Sequence, residues 1–400
     1  MFIYNASHLH ILIVILTLSG LGFINFSRNL VIKKTTTLLM WSSLIIAAFM
    51  AFTNYDPSLS VLTLNHKSGI LFSFSALLMI PALLQFHQLT RQSNFHDILF
   101  ISLLLFFLVG FNNPFIWFLA FEGIFIITGS AFRYYSVPQY RINHILSALV
   151  LFTGMILLST TASHDIAYIF IFFSLLLKFN FPVGIVVRSH NLSNCLYVSV
   201  IRVSVTLLLM IKLYPIIQPV QYRIVSIIFI VIGILISLIR FSRVRDQFSF
   251  VSLAVDSMYL PLILLASSGL SQIFGVYLLL FIPLIIPFVN QKWSPGDGKI
   301  HKGYLLSLMT VHGFPFTAGM IIWIRFIRHI LDYPVYNVYA FGGFISLFSF
   351  WLYIFRKIMI DAEILINNES KRLNTYLLTI LLFNGVVWYY YTPILKFFML

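Results

Sequence analysis

Long apolar runs separated by short polar stretches repeat along the whole 400-residue chain. A run needs roughly 20 apolar residues to cross about 30 Å of hydrocarbon. The pattern predicts such spans near 8–26, 37–54, 68–87, 97–111, 114–132, 143–160 and 165–187. Seven more are predicted near 195–217, 223–240, 248–269, 272–290, 303–324, 335–355 and 373–395. The expected fold class is therefore an all-α polytopic membrane protein of about 14 transmembrane helices, with no soluble domain between them. The first run lacks a basic leading region and a small-residue cleavage site, so it is expected to be a retained span.

Composition sharpens this picture. The chain is 60% hydrophobic and only 9% charged, against about 25% charged residues in globular domains. A water-soluble core has nowhere to hide that much apolar surface. A single cysteine, Cys195, excludes a disulfide framework, a Cys-rich metal site and a thiolate-bound iron–sulfur cluster. The net charge of +14 would point to nucleic acid in a soluble protein. Here the charges lie in short loops, so they set orientation in the bilayer and no nucleic-acid partner is expected. Loops after odd-numbered spans hold about 17 Lys and Arg, for example Arg28, Lys33 and Lys34, or Arg240, Arg243 and Arg245. Even loops and tails hold about 5 (Lys67, Arg223, Arg325, Arg328 and Lys396). The odd loops are therefore expected on the cytoplasmic or matrix side, with both termini opposite. The abundance of Phe, Ile and Tyr fits an AT-biased genome, as in an organelle.

Charges inside the spans are the candidate chemistry. A charged side chain at the bilayer centre costs about 2.5–3.5 kcal/mol on insertion scales, so each one needs a reason. Five stand out: Glu122, Lys178, Arg202, Lys212 and Asp256. Glu122 sits in mid-span with no other charge within ten residues, and Lys178, also read as mid-span, lies four residues before Pro182. Lys212 lies three residues before Pro215, nearer a span end, while Arg202 is close enough to its span start to snorkel. Such groups can simply bind helices together, which is the stronger reading for Arg202. A pair used only as glue is replaceable by apolar packing at little loss, however. An acid and two bases on neighbouring spans form what a proton relay requires. In low dielectric a lysine holds its proton less firmly, and a nearby carboxylate restores the hold. Moving that carboxylate switches a lysine between keeping and releasing a proton.

Two spans also carry helix breakers. Pro182 and Gly184 follow Lys178, and Gly313, Pro315 and Gly319 interrupt the twelfth span. Breakers five spans apart point to paired structural repeats with discontinuous helices, although Pro and Gly are also common in membrane helices generally. Broken helices free backbone groups, and such breaks tend to line a cavity.

Four stretches together resemble a known family, the antiporter-like membrane subunits of respiratory NADH:ubiquinone oxidoreductase (complex I), most closely its chain 2. WFLAFEGIFI is similar to the family's fifth helix, LLLKFNFPVG to its seventh, LLLMIKLYPI to its eighth and LLSLMTVHGFPFTAG to its twelfth. Order, spacing and span number agree over roughly residues 100–360. The resemblance implies inverted five-helix repeats, helices 4–8 and 9–13, with helices 7 and 12 broken. That divides the chain into an N-terminal three-helix segment (1–96), two repeats (97–218 and 219–357) and a C-terminal helix (358–400). It also implies roles: Glu122 pairs with Lys178, and Lys212 continues the polar axis. Trp323 departs from the family, which usually carries Lys or Glu there; Phe248 and Asp256 depart in the tenth helix, and Pro182 stands one residue closer to its lysine. His312 or Arg325 is then left to substitute, or the subunit has lost part of its proton path. An unperturbed histidine exchanges protons near neutrality, which makes His312 the better substitute, whereas Arg325 keeps its proton and only biases a neighbour. Asp256 and Arg202 are further electrostatic partners.

The expected function is a proton-translocating or coupling subunit of complex I. It works with other membrane-arm subunits and lipids, in the mitochondrial inner membrane or a bacterial plasma membrane. No cofactor is expected on this chain, since no Gly-rich fingerprint follows a strand and opens a helix. NADH, FMN, iron–sulfur clusters and ubiquinone would belong to other subunits. Two alternatives stay open: a free-standing cation/proton antiporter, and a degenerate scaffold subunit that conducts no protons. Co-purification with flavin and iron–sulfur partners separates the first of these from the complex.

Overall fold

The structure, a computed structural model, describes residues 100–101, 103–108, 111, 113–131, 138–160, 164–180, 192–213, 300–301, 309–314, 316–332, 366–367 and 384–387, with a few isolated positions. Five helices lie in these segments: α1 (Pro114–Ala131), α2 (Pro138–Ser159), α3 (His164–Asn180), α4 (Leu192–Leu213) and α5 (Ala318–Leu331). The β structure among the described residues is a two-residue parallel pairing of β1 (Ile300–His301) with β2 (Ile366–Asn367). The first three predicted spans, and the ninth to eleventh and thirteenth, fall outside the described residues apart from single positions, as does Asp256.

Proline and its neighbours set the helix ends. Pro114 opens α1 at its first position, where its missing N–H is no loss. Asn113 caps it, its Oδ1 accepting from the N–H groups of Phe115 (2.9 Å) and Ile116 (3.4 Å). Pro138 opens α2 in the same way, five residues before the start expected from hydropathy alone. The described parts of α3 and α4 reach Asn180 and Leu213, each two residues short of a proline in the sequence, Pro182 and Pro215. The described part of the seventh span runs to Asn180, with Lys178 in its last turn, and the remainder expected up to 187 lies outside the described residues.

Helices α2 and α3 are joined through residues 160–163 and pack antiparallel along their length. Gly154 permits the close approach: a Cβ there would stand 2.7 Å from Ile171 Cγ1 and 3.2 Å from the Ala167 carbonyl. Ser174 on α3 donates to the Ser147 carbonyl on α2 at 2.7 Å, which fixes their register. Helix α1 packs against both α2 and α4.

The interior is mostly apolar but also encloses polar and charged groups, while apolar side chains face outward. The outward face of α2 presents Ile142, Ile145, Leu146, Leu149 and Ile156. Inside lie Glu122, His144, Ser147, Ser174, Arg202, Ser204 and Thr206. Buried hydroxyls bond to their own helix, as Thr128 does to Ile124 O and Thr206 to Arg202 O. Apolar side chains outward and polar groups enclosed within is the arrangement hydrocarbon favours.

The twelfth span is broken, as the glycines and proline predict. Residues 309–311 are helical, and Gly313 follows with φ +70°. Its N–H bonds to Thr310 O (3.1 Å) and that of Phe314 to Met309 O (2.9 Å). This pair of bonds around a left-handed glycine is a Schellman ending. The chain turns through Phe316, at φ 65°, and α5 begins at Ala318. Asn384, far along the chain, accepts the Ala318 N–H at 2.8 Å and caps α5. The helix continues to Leu331, seven residues beyond the expected end of the span.

Candidate functional site

Helix α1 contributes a buried aromatic stripe at helical spacing: Trp117, Phe121 and Phe125. Three basic side chains reach it. The Lys178 ammonium stands 4.7 Å from the Phe125 centroid and 5.5 Å from that of Phe121. The Arg202 guanidinium lies 5.5 Å from Phe125, and the Lys212 ammonium 6.0 Å from Trp117. A cation over a ring face is attracted by the ring quadrupole, more strongly once water is removed. The stripe therefore gives a dry interior a surface on which positive charge can rest.

Glu122, beside Phe121, supplies the acid. Lys178 Nζ sits 2.7 Å from both Oε1 and Oε2 of Glu122 and hydrogen-bonds to Oε2. The two side chains are 1% and 7% exposed, so this is a buried ion pair between α1 and α3. Lys178 as a whole residue is only half-buried because its backbone lies at the helix end; the ammonium is what is enclosed. Its position in the last turn of α3 also suits a cation, since the helix dipole is negative there. Lys212 occupies the same last-turn position in α4.

His144 on α2 completes the cluster and was not among the residues expected from sequence. Its Nε2 lies 3.5 Å from Glu122 Oε2, and the side chain is 8% exposed. A span expected from 143 puts His144 at its very edge, where a histidine draws no notice. The helix starting at Pro138 carries it well into the span. The Pro-Gln-Tyr-Arg stretch opening α2 was the available signal, since proline favours the first helical position.

Of the two readings of Arg202, its burial favours binding helices together over snorkelling. The residue is 8% exposed, ten residues into α4 and against Phe125. His312 is buried at the break, between Val311 and Gly313. Trp323 is brought to the same place. Its Nε1 donates to Val311 O at 3.1 Å, and a Cβ on Gly313 would meet its Cδ1 at 2.8 Å. A straight helix would separate His312 and Trp323 by roughly 16 Å of rise; the break folds the indole back beside the turn. Trp323 thus satisfies a carbonyl that the helix ending leaves without an intrahelical donor. The backbone of Arg325 belongs to α5, and its side chain lies outside the described residues.

The structure brings Glu122, Lys178, Arg202 and Lys212 to one face of α1 and sets His312 beside the helix break. The grouping can hold a proton on a lysine, match it with a carboxylate and offer further basic sites nearby.

No protein-family model and no curated protein matches this sequence. Solved structures do. A chain of the Mrp complex from Dietzia sp. is 13% identical, with a TM-score of 0.61 over 88% of this chain and 79% of that one. A chain of the membrane-bound sulfane sulfur reductase, an archaeal respiratory membrane complex, is also 13% identical. Its TM-score is 0.62 over 98% of this chain and 96% of its own. A chain of respiratory complex I from Thermus thermophilus with bound NADH is 12% identical, at 0.61 over 97% and 98%. At such identities the likeness is one of fold, and the fold is that of chains from these membrane complexes, respiratory complex I among them.

Proposed function

We propose that this chain is an antiporter-like, proton-translocating or coupling subunit in the membrane arm of NADH:ubiquinone oxidoreductase, most similar to chain 2. The observation that carries the reading is the enclosed pair of Glu122 and Lys178, with Lys212 further along the same aromatic stripe. While Glu122 faces Lys178, the ammonium is matched and keeps its proton. When the carboxylate swings away, the ammonium is left in low dielectric near the Arg202 guanidinium, and passing its proton towards Lys212 relieves the strain. Quinone reduction in other subunits drives that swing. This chain moves charge and carries no redox group, so NADH, FMN, iron–sulfur clusters and ubiquinone belong to its partners.

The fold likeness over nearly the whole chain supports about 14 helices with helices 4–8 and 9–13 as inverted repeats. The observed break around Gly313 supports the second of the two discontinuous helices. We place the protein as a multi-pass subunit of the mitochondrial inner membrane, or of a bacterial plasma membrane. The test is Glu122→Gln and Lys178→Met in the assembled complex in proteoliposomes, reading protons moved per electron. The relay predicts that both variants lower this ratio while leaving NADH oxidation by an artificial acceptor intact. Unchanged pumping in both overturns it.

A second reading has its own observation. Trp323 spends its single donor on Val311 O and offers no basic site. A chain whose twelfth helix is held by an indole suits a coupling or scaffold element whose path ends after Lys212.

A further inference from the structure

Glu122 is the one carboxylate that the described ion pairs share, and its Oε2 faces two different proton-exchanging groups. Lys178 hydrogen-bonds to this oxygen at 2.7 Å, and His144 Nε2 stands 3.5 Å from it. The position of His144 is built rather than incidental. Ser174 locks the register of α2 and α3 through Ser147 O, and the Ser147 hydroxyl bonds in turn to His144 O at 2.9 Å. One turn before Ser147 on α2 is His144, and one turn beyond Ser174 on α3 is Lys178. In an antiparallel pair these two face each other, with Glu122 of α1 between them.

The ionisable groups around the imidazole come from three helices: Glu122 of α1, Lys178 of α3 and Arg202 of α4. Arginine does not give up its proton, so among these only His144, Glu122 and Lys178 can exchange one. At 3.5 Å the imidazole is too far to neutralise Glu122 in the state described, yet near enough to close when the carboxylate turns from Lys178.

We propose that His144 is the group that reloads the Glu122–Lys178 pair with a proton, a deeper step of the relay and dependent on that reading. As an imidazolium, its Nε2–H bond breaks and an O–H bond forms at Glu122 Oε2, leaving neutral imidazole and a neutral carboxylic acid. The acid then gives the same proton to the Nζ of a Lys178 that has already discharged. That step regenerates carboxylate and ammonium, the ion pair observed. One proton thus passes from His144 to Lys178 by way of Glu122, and none is left over.

The test uses His144→Gln and His144→Asn in the assembled complex, with Glu122→Gln as the control. Both histidine variants keep a hydrogen-bonding side chain but cannot carry a proton. Turnover-linked proton transport should fall about tenfold or more in whichever variant assembles. The infrared carboxyl band identified as Glu122 by its loss in Glu122→Gln should cease to change during turnover. A merely structural histidine would leave that band's change intact. Normal transport and a normal Glu122 band in either assembled variant, with Glu122→Gln inactive, overturns the role of His144 alone. If Glu122→Gln itself transports normally, the relay reading falls and the proposal with it. Failure of both histidine variants to assemble would mark His144 as structural and equally overturn it.

Discussion

Removing one partner of the Glu122–Lys178 pair gives a test with a definite rank order. Two unit charges 2.7 Å apart attract by about 6 kcal/mol at an effective dielectric of 20, and breaking a buried pair by deleting one side typically costs about 3–5 kcal/mol. The two deletions are not equivalent. Lys178→Met leaves a carboxylate that has His144 Nε2 3.5 Å away and can neutralise itself by taking a proton. Glu122→Gln leaves the Lys178 ammonium and the Arg202 guanidinium on the same Phe125 ring with no counter-charge between them. Glu122→Gln should therefore lose about 3–5 kcal/mol and Lys178→Met markedly less. The double variant, with no unmatched pair, should be more stable than Glu122→Gln alone. The assay is reversible unfolding in mixed micelles, read by tryptophan fluorescence, as a double-mutant cycle. The reasoning fails if the coupling energy is below about 1 kcal/mol, the value of an exposed pair, or if Lys178→Met is the more damaging change.

Three further outcomes follow from the packing. Trp323→Phe removes the donor to Val311 O and should cost about 1–3 kcal/mol, with faster amide hydrogen exchange confined to the break. Gly154→Leu forces a side chain against Ile171 and the Ala167 carbonyl; overpacking of about 1–3 kcal/mol should show as a lower Tm and a smaller loss for Gly154→Ala. Ser174→Ala removes the 2.7 Å bond to Ser147 O and should cost about 1 kcal/mol in micelles, loosening the α2–α3 register without altering helix content in circular dichroism.

Much of the local structure was legible because its causes are local. Asn113 and Pro114 mark the start of α1 and Pro138 that of α2, each through the dihedral limits of one or two residues. Gly313 marks the break because few other residues adopt φ +70° cheaply. The apolar share of the composition excluded a soluble core, and Glu122 and Lys178 stood out because isolated charges in hydrocarbon are costly. Hydropathy alone misjudged the start of α2, since Gln139, Tyr140 and Arg141 are polar while the helix they open is already formed.

Tertiary structure decided the rest. The partners in the cluster are 56 residues apart for Glu122 and Lys178, and the α2–α3 register is set by a bond across 27 residues. Periodicity assigns a residue to a helix face, but not the neighbouring helix that face meets nor the height at which they meet. That is why His144 joined the site unannounced, why Arg202 lies under Phe125 instead of reaching for the interface, and why Trp323 closes the break it follows. A histidine, an arginine or a tryptophan in an apolar sequence has many satisfactory positions. Which one it takes depends on packing that no short window of sequence contains.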